Sequence, residues 1–140
     1  MAELSRSLID AANFAALKHS TQRRKDPDAT PYINHPIGVA HILCVEGLVC
    51  DPVVLQAALL HDTVEDTATT PDEIEQRFGA HVRAVVEEVT DDKSLSSIER
   101  KLRQVQNAAL WSYQAKLVCL ADKLYNVRDA VRQTPFPELI

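Results

Sequence analysis

The chain has 140 residues, with 15 Lys or Arg against 20 Asp or Glu, so its formal net charge is −5 at pH 7. It has the composition of a soluble globular protein, with 46% apolar and 25% charged residues, and its length predicts one domain, residues 1–140, whose core needs no disulfide. The acidic balance argues against a broad nucleic-acid interface, and the longest apolar run, residues 117–121, is far shorter than the roughly 20 residues that cross a membrane.

Apolar residues recur with a helical period along most of the chain, and no stretch alternates as a strand would. Helices are predicted over residues 4–21, 36–47, 51–61, 70–78, 82–89, 97–109 and 113–132. Two helix starts carry strong signals, because Asp51 precedes Pro52, and Thr70 and Glu73 have the spacing of a capping box. The sequence therefore predicts an all-α bundle of about seven helices.

The last two predicted helices have marked apolar positions. In the helix over residues 97–109, one face carries Ile98, Leu102 and Val105. In the helix over residues 113–132, the residues predicted to point inward are Leu117, Leu120, Ala121, Leu124 and Val131. Two prolines in residues 134–137 are predicted to end this last helix.

The cysteines and the start of the chain bear on its location. Cys44, Cys50 and Cys119 make an odd count without the spacing of a zinc site, so they are predicted to be small buried residues in a reduced compartment. The chain also lacks the charged start and apolar block of a secretory signal. A cytoplasmic location is therefore the expectation.

A cluster of acidic residues and a histidine follows the third predicted helix. His61 and Asp62 are adjacent, and Glu65 and Asp66 each follow one of them by four residues, which is about one helical turn. Three carboxylates that close together would repel one another in a bare core, whereas a divalent cation among them would hold them in place. Glu65 and Asp66 would then be free to orient a water molecule or to accept its proton.

Such a cation needs ligands from other helices as well. His35, at the start of the second helix, is one candidate, and Asp122, which directly follows the apolar run of residues 117–121, is another. Together with His61 and Asp62 they would supply two imidazoles and two carboxylates. That set suits Mn²⁺, Fe²⁺, Co²⁺ or Zn²⁺ better than Ca²⁺, and the bound metal would lower the pKa of a water molecule for hydrolysis.

Each of these residues has a structural alternative. The acidic residues at 62–66 could be a solvated helix end, Asp122 could pair with Arg128, and His35 could lie on the surface. Of the other histidines, His19 and His41 are predicted to be surface or core-edge residues, and His81 lies at a predicted helix start. A P-loop and a dinucleotide-binding glycine motif are both missing from the sequence, and no Ser or Cys has a base at a persuasive spacing.

A basic loop precedes His35 by about ten residues. Arg24 and Lys25 could recognise a phosphate or a base, because guanidinium binds phosphate through a planar fork and stacks on bases. The alternative is a solvated loop. Tyr32, three residues before His35, could add a stacking or hydroxyl contact to the same ligand, or could be a core aromatic residue.

Four longer stretches carry a resemblance to a known family. RRKDPDATPYINHPIGVA, LQAALLHDTVEDT, EEVTDDKSL and KLVCLADKLYNVRD resemble the hydrolase domain of the RelA/SpoT-family HD-domain phosphohydrolases, most closely its small animal form. The resemblance covers nearly all of residues 5–134. The chain departs from the family pattern in ERKLRQVQNAALWSYQ and in its last residues, and it is expected to lack the family's last helices.

The resemblance implies an HD-domain helical bundle around a metal site that hydrolyses guanosine 3′,5′-bis(diphosphate), ppGpp, to GDP and pyrophosphate with one Mn²⁺ per chain. It matches the metal ligands to His35, His61, Asp62 and Asp122. It matches the water-activating pair to Glu65 and Asp66, the basic loop to Arg24 and Lys25, and a nucleotide contact to Asn126. The synthetase and regulatory regions of the long bacterial proteins have no counterpart in these 140 residues.

Three alternatives to this function stay open at the level of sequence. The substrate could be another phosphorylated nucleotide with a ribose 2′- or 3′-phosphate, since the same chemistry acts on each phosphorus. The chain could be a non-catalytic short form that binds metal or nucleotide, or a structural bundle that binds neither. The expected partner is a small nucleotide rather than a nucleic acid or a membrane, and the oligomeric state is not predicted.

Overall fold

The computed structural model describes residues 2–133, and within that range it contains helices and no β-strand. The helices are α1 (Ala2–Lys18), α2 (Asn34–His41), α3 (Pro52–Leu60), α4 (Thr63–Asp66), α5 (Pro71–Phe78), α6 (Ala80–Val89), α7 (Ser97–Asn107) and α8 (Tyr113–Gln133). A π-helical turn, Ile42–Glu46, continues α2, and a 3₁₀ turn, Ala108–Leu110, follows α7. The predicted all-α fold is confirmed, with seven helices of eight or more residues among those described. The predicted break at residues 134–137 lies outside the described residues.

The helix starts follow their capping residues. Asp51 accepts a hydrogen bond from the backbone N–H of Val53 at 2.9 Å, and Thr70 accepts one from that of Glu73 at 3.2 Å. The predicted capping box at residues 70–73 is only half formed. The Glu73 carboxylate pairs with Lys18 of α1 at 3.1 Å instead of returning to the helix start, because the tertiary fold offers it a cation.

The core is built around α3. Every residue from Val54 to Leu60 is buried, and the helix contacts α1, α2, α6 and α8. A helix that is apolar on all sides must be enclosed by others, as this one is. Its C-terminal end therefore delivers the next residues, His61 and Asp62, to the interior of the bundle.

Several apolar side chains of α7 and α8 face outward. Ile98, Leu102 and Val105 share one face of α7 as predicted, but that face is exposed. The prediction that Leu120, Leu124 and Val131 point inward is wrong, although Ala121 is buried. Within residues 2–133, one stripe of α8, which includes Ala115, Val118 and Ala121, is buried against the neighbouring helices, and no described helix covers Leu120, Leu124 or Val131 beside it.

Two smaller predictions also fail. Cys44 and Cys50 are exposed, and only Cys119 is half-buried, because the first two lie in and after the π-helical turn at the surface. His19, predicted at the surface or the core edge, is buried with 2% of its surface exposed. It follows Ala15 by four residues and so continues the buried stripe of α1. Within residues 2–133, no helix has both the length and the apolar character of a membrane span.

The packing around α3 can be tested by truncation. Leu60→Ala is expected to lower the free energy of unfolding by about 2–5 kcal/mol, because Leu60 is fully buried and its loss leaves a cavity. Leu120→Ala, on the exposed side of α8, should change it by less than about 0.5 kcal/mol. Urea unfolding followed by circular dichroism measures both, and equal losses would contradict the arrangement of the core.

Candidate metal centre

Four side chains from three parts of the fold converge between α2, α3 and α8. His35 lies in the first turn of α2, and Asp122 lies near the middle of α8. His61 and Asp62 directly follow α3. Each of the four offers one donor atom, and these atoms all lie within 4.8 Å of one another. The structure thus brings together the four residues that the sequence singled out as metal ligands.

Both imidazoles turn the same nitrogen toward the carboxylates. His35 Nε2 lies 2.7 Å from Asp122 Oδ1 and 3.6 Å from Asp62 Oδ2. His61 Nε2 lies 3.2 Å from each of the same two oxygens. Two nitrogens and two oxygens facing one point match the mixed donor set of Mn²⁺, Fe²⁺, Co²⁺ or Zn²⁺, so the residues fit a divalent cation.

The orientation of the His61 ring is fixed by a hydrogen bond from the nitrogen that faces away from the carboxylates. Its Nδ1 lies 2.7 Å from the carbonyl oxygen of Ala58, to which it donates, and this leaves the lone pair of Nε2 for a ligand. The His35 ring is held by packing, since the Tyr125 ring meets it edge-on with centroids 4.8 Å apart. Gly38 allows this contact, because a Cβ at that position would collide with the Tyr125 ring.

Burial disfavours charge at the centre, but the neighbouring groups outweigh it. Burial alone would lower the pKa of His61, yet the Asp62 and Asp122 carboxylates raise it to about 9. Burial alone would raise the pKa of Asp122, yet hydrogen bonds with His35 and His61 hold it well below its ordinary value. The His61 imidazole therefore carries a proton that a bound cation would displace.

Glu65 and Asp66 lie beside the four donors on α4. One carboxylate oxygen each of Asp62, Glu65 and Asp66 falls within 4.8 Å of the others. Glu65 Oε1 accepts a hydrogen bond from the backbone N–H of Asp91 at 2.7 Å. Burial, together with the nearby carboxylates of Asp62 and Asp66, raises the pKa of Glu65. A carboxylate of raised pKa next to a metal site is suited to accepting a proton.

Asp66 is held differently from Glu65. Lys93 Nζ lies 2.6 Å from its Oδ1, and Gln22 Nε2 lies 3.5 Å from its Oδ2. Gln22 is in turn bound by the buried His19, whose Nδ1 lies 2.7 Å from its Oε1. The sequence reasoning missed Gln22, His19 and Lys93. The one signal for His19 in the sequence is its position four residues after Ala15, on the apolar stripe of α1.

Tyr32 connects the basic loop to the centre. Its hydroxyl donates to Asp62 Oδ2 at 2.7 Å, and its ring lies 4.9 Å from the ring of His19. Burial and the Asp62 charge raise the pKa of Tyr32 far above its ordinary value, so the phenol stays protonated. This hydroxyl holds a carboxylate of the centre in position.

The basic loop closes against the second half of α8. Arg24 Nη2 donates to Asp129 Oδ2 at 2.8 Å and lies 3.4 Å from Asn126 Oδ1. Arg24 and Lys25 line an open cavity of about 230 Å³ together with Asp26 and Asp129. The structure therefore brings Arg24 to Asn126, one turn along α8 from Asp122, and Lys25 lines the neighbouring cavity with Arg24. Asp129, which anchors Arg24, was not anticipated.

A further cavity of about 70 Å³ opens onto the centre itself. It is lined by His61, Asp62, Glu65 and Asp122 of the centre, and by Asp91, Gln104, Trp111, Cys119 and Lys123 among others. Gln104 and Trp111, which the sequence reasoning did not single out, thus form part of the wall that faces the donor atoms. The centre is therefore accessible to water from this side.

Comparisons with known proteins find a matching family model, similar curated proteins and a similar solved structure. The chain matches the family model of the HD domain over residues 11–137. It is 67% identical over 128 residues to guanosine-3′,5′-bis(diphosphate) 3′-pyrophosphohydrolase MESH1 of Mus musculus and to that of Homo sapiens, a match that covers 91% of this chain and 72% of each of those proteins. A solved structure of a metazoan ortholog of SpoT that hydrolyses ppGpp has a TM-score of 0.88 and 52% identity, and covers 94% of this chain and 74% of that one.

Proposed function

Because this chain belongs to the HD-domain family, we propose that it is a metal-dependent hydrolase that converts ppGpp to GDP and pyrophosphate. The observation that carries the proposal is the convergence of four donor atoms, from His35, His61, Asp62 and Asp122, within 4.8 Å of one another. The carboxylates of Glu65 and Asp66 lie beside them. We place the whole chain, residues 1–140, in one such domain, which the family match over residues 11–137 supports.

His35, His61, Asp62 and Asp122 would hold one divalent cation. The donors suit several first-row metals, and we propose Mn²⁺ among them because the resemblance to the RelA/SpoT-family hydrolases implies it. When bound, the cation supplies Lewis-acid polarisation of a phosphoryl oxygen and lowers the pKa of water. The protein contributes the fixed positions of the donors, through the hydrogen bonds of the His61 ring to Ala58 and of Tyr32 to Asp62.

Glu65 is our candidate for the general base. It takes a proton from water as the water oxygen forms a bond to the phosphorus attached to ribose O3′. The bond between that phosphorus and O3′ breaks, O3′ gains a proton, and pyrophosphate leaves. Asp66 is held by the Lys93 ammonium at 2.6 Å, and we assign it to orienting the water.

Arg24, Lys25 and Asn126 would bind the nucleotide at the mouth of the site, with Tyr32 behind them. The Arg24 guanidinium is held by Asp129 and lies 5.5 Å from the Tyr125 ring, so it is already placed to meet a base or a phosphate. The substrate is a small nucleotide and not a nucleic acid, which suits the net charge of −5. A cytoplasmic location, supported by the unpaired cysteines, is part of the same proposal.

The direct test is hydrolysis of ppGpp by the 140-residue chain with Mn²⁺, with products separated by anion-exchange chromatography. We expect GDP and pyrophosphate in equal amounts, and loss of turnover with a chelator. A panel of nucleotides with ribose 2′- or 3′-phosphates, at fixed Mn²⁺, serves as the comparison. Faster turnover of one of these would move the proposal to that substrate, and no turnover of any would overturn the enzymatic function.

The role of the basic loop gives a separate prediction. Arg24→Ala is expected to raise KM for ppGpp by about tenfold or more while changing kcat little, because it removes a charge-assisted contact to the substrate but leaves the metal centre intact. Steady-state kinetics measure this, with Arg6→Ala on the exposed side of α1 as the control. A loss of kcat at unchanged KM would contradict the assignment of Arg24 to binding.

A further inference from the structure

A second cavity, of about 110 Å³, adjoins the metal centre. It lies between the segment that follows α6 and one face of α7, and three of its lining residues, Asp91, Gln104 and Trp111, also line the cavity that opens onto the donor atoms. The two cavities therefore share a wall. The function proposed above makes no use of this second cavity.

Two arginines of α7 line this cavity without a carboxylate partner. The Nε atom of Arg100 is buried and has no hydrogen-bond partner, and neither Arg100 nor Arg103 has a carboxylate oxygen within 4.0 Å among residues 2–133. A buried donor on a charged group that lacks a partner is unfavourable unless a ligand satisfies it. An anion is the ligand that guanidinium prefers.

The carboxylates around the cavity are bound elsewhere, so they leave the guanidiniums free. Their donors are the backbone N–H of Ser112 for Glu88 at 2.6 Å, Nε2 of Gln104 for Asp91 at 2.9 Å, and the backbone N–H of Ser94 for Asp92 at 2.9 Å. Hydrogen bonds from Ser94 lower the pKa of Asp92, and the Arg103 charge adds a smaller effect in the same direction. The lining thus holds three carboxylates and two guanidiniums, but because the carboxylates bind other donors, the N–H groups of Arg100 and Arg103 stay available to a ligand.

Lys93, in the loop after α6, is a third basic residue on this side of the metal centre, and it contacts Asp66. Its ammonium lies 2.6 Å from Asp66, while half of its side-chain surface is exposed. Asp66 raises the pKa of Lys93, and the nearby Arg100 opposes that rise. Lys93 therefore contacts the carboxylates that would act on water, and it lies in the same loop as Asp92 and Leu95, which line the second cavity.

Arg100 and Arg103, in the wall of the second cavity, lie on the opposite side of the metal centre from the basic loop. Asp129, which holds Arg24, is seven residues beyond Asp122 along α8, a distance of about 10 Å. Cys119 and Trp111, which line the centre on the side of the second cavity, precede Asp122 in the chain. A ligand at the centre would therefore have a basic cluster at each end.

We infer that Lys93, Arg100 and Arg103 form a second phosphate subsite, which binds the diphosphate group that leaves from ribose O3′. The inference rests on the proposed function and adds to that function a preference between substrates. The nucleoside end of the substrate lies toward Arg24, and the chain prefers a 3′-diphosphate to a 3′-monophosphate because only the diphosphate reaches past the centre to these residues.

Binding of inorganic pyrophosphate to the Mn²⁺-loaded protein, measured by calorimetry, tests the subsite without turnover. Arg100→Gln is expected to raise the Kd of pyrophosphate at least about tenfold. The control is Lys101→Gln, which removes one charge from the same helix at an exposed position outside the cavity, and it should leave the Kd unchanged. If Arg100→Gln fails to fold, Lys93→Gln in the exposed loop is expected to raise the Kd in the same direction, and a Kd equal to that of the control would overturn the subsite.

Kinetics separate this inference from the proposed function. The ratio of kcat/KM for a guanosine 3′-diphosphate to that for the 3′-monophosphate should fall about tenfold or more in Arg100→Gln and stay unchanged in Lys101→Gln. If the wild-type protein hydrolyses ppGpp but the two variants give equal kcat/KM ratios, the subsite alone is overturned. Loss of pyrophosphate binding in Arg100→Gln without any wild-type turnover of ppGpp would support the subsite and overturn the proposed function.

Discussion

Asp122→Asn is expected to remove the bound metal and to lower turnover of ppGpp by about 10³-fold or more, because a catalytic metal lowers the activation barrier by several kcal/mol. Asp122 Oδ1 is the atom nearest to both histidine nitrogens, at 2.7 Å from His35 Nε2 and 3.2 Å from His61 Nε2. Asparagine keeps the size of the side chain but cannot supply the negative charge. Metal content by atomic emission, together with steady-state kinetics, measures the two effects.

The control for this variant lies on the same helix. Asp129→Asn makes the same chemical change two turns further along α8, where the carboxylate pairs with Arg24 and not with a histidine. We expect it to keep its metal and to change KM more than kcat. An Asp122→Asn protein that retains one metal ion per chain and wild-type turnover would contradict the assignment of this centre.

Glu65→Gln is expected to lower kcat by about 10²- to 10⁴-fold while leaving metal binding and KM nearly unchanged, because this is the range that a general base contributes. The amide can still accept the hydrogen bond from the backbone N–H of Asp91, so the geometry is kept. What it loses is the capacity to take a proton. Metal content, KM and kcat of the purified variant measure this separation.

The pH dependence of the rate is a second test of Glu65 as the general base. Burial and the neighbouring carboxylates raise the pKa of Glu65 above its ordinary value, so the base becomes protonated, and the rate falls, at a higher pH than for an ordinary glutamate. Glu75→Gln, on an exposed face of α5, is the matched control and should keep the wild-type kcat and profile. A Glu65→Gln protein with wild-type kcat would show that another group takes the proton.

The metal centre could be predicted because its residues mark the ends of apolar runs. His61 directly follows the buried residues of α3, and Asp122 directly follows residues 117–121, so each is a polar group that the fold must carry into the interior. A buried polar group needs a partner, and four such groups in one bundle are most simply satisfied by one cation. The structure brings them together as that reasoning requires.

The surroundings of the centre could not be predicted, because they depend on contacts between distant residues. Gln22 approaches Asp66 across 44 positions of the chain, and Arg24 reaches Asp129 across 105. Neither pair has a local spacing that would reveal it. The same limit explains α8, where periodicity identifies Leu120 as apolar but does not say which of the apolar sides meets another helix.

The central claim is that this chain hydrolyses ppGpp with one metal ion held by His35, His61, Asp62 and Asp122. The most direct measurement titrates Mn²⁺ into metal-free protein while the initial rate of pyrophosphate release is recorded. The account predicts that the rate is negligible without metal, rises with added Mn²⁺ and levels off at one bound ion per chain. A rate that is independent of Mn²⁺, or one that stays at zero after one equivalent has bound, would contradict it.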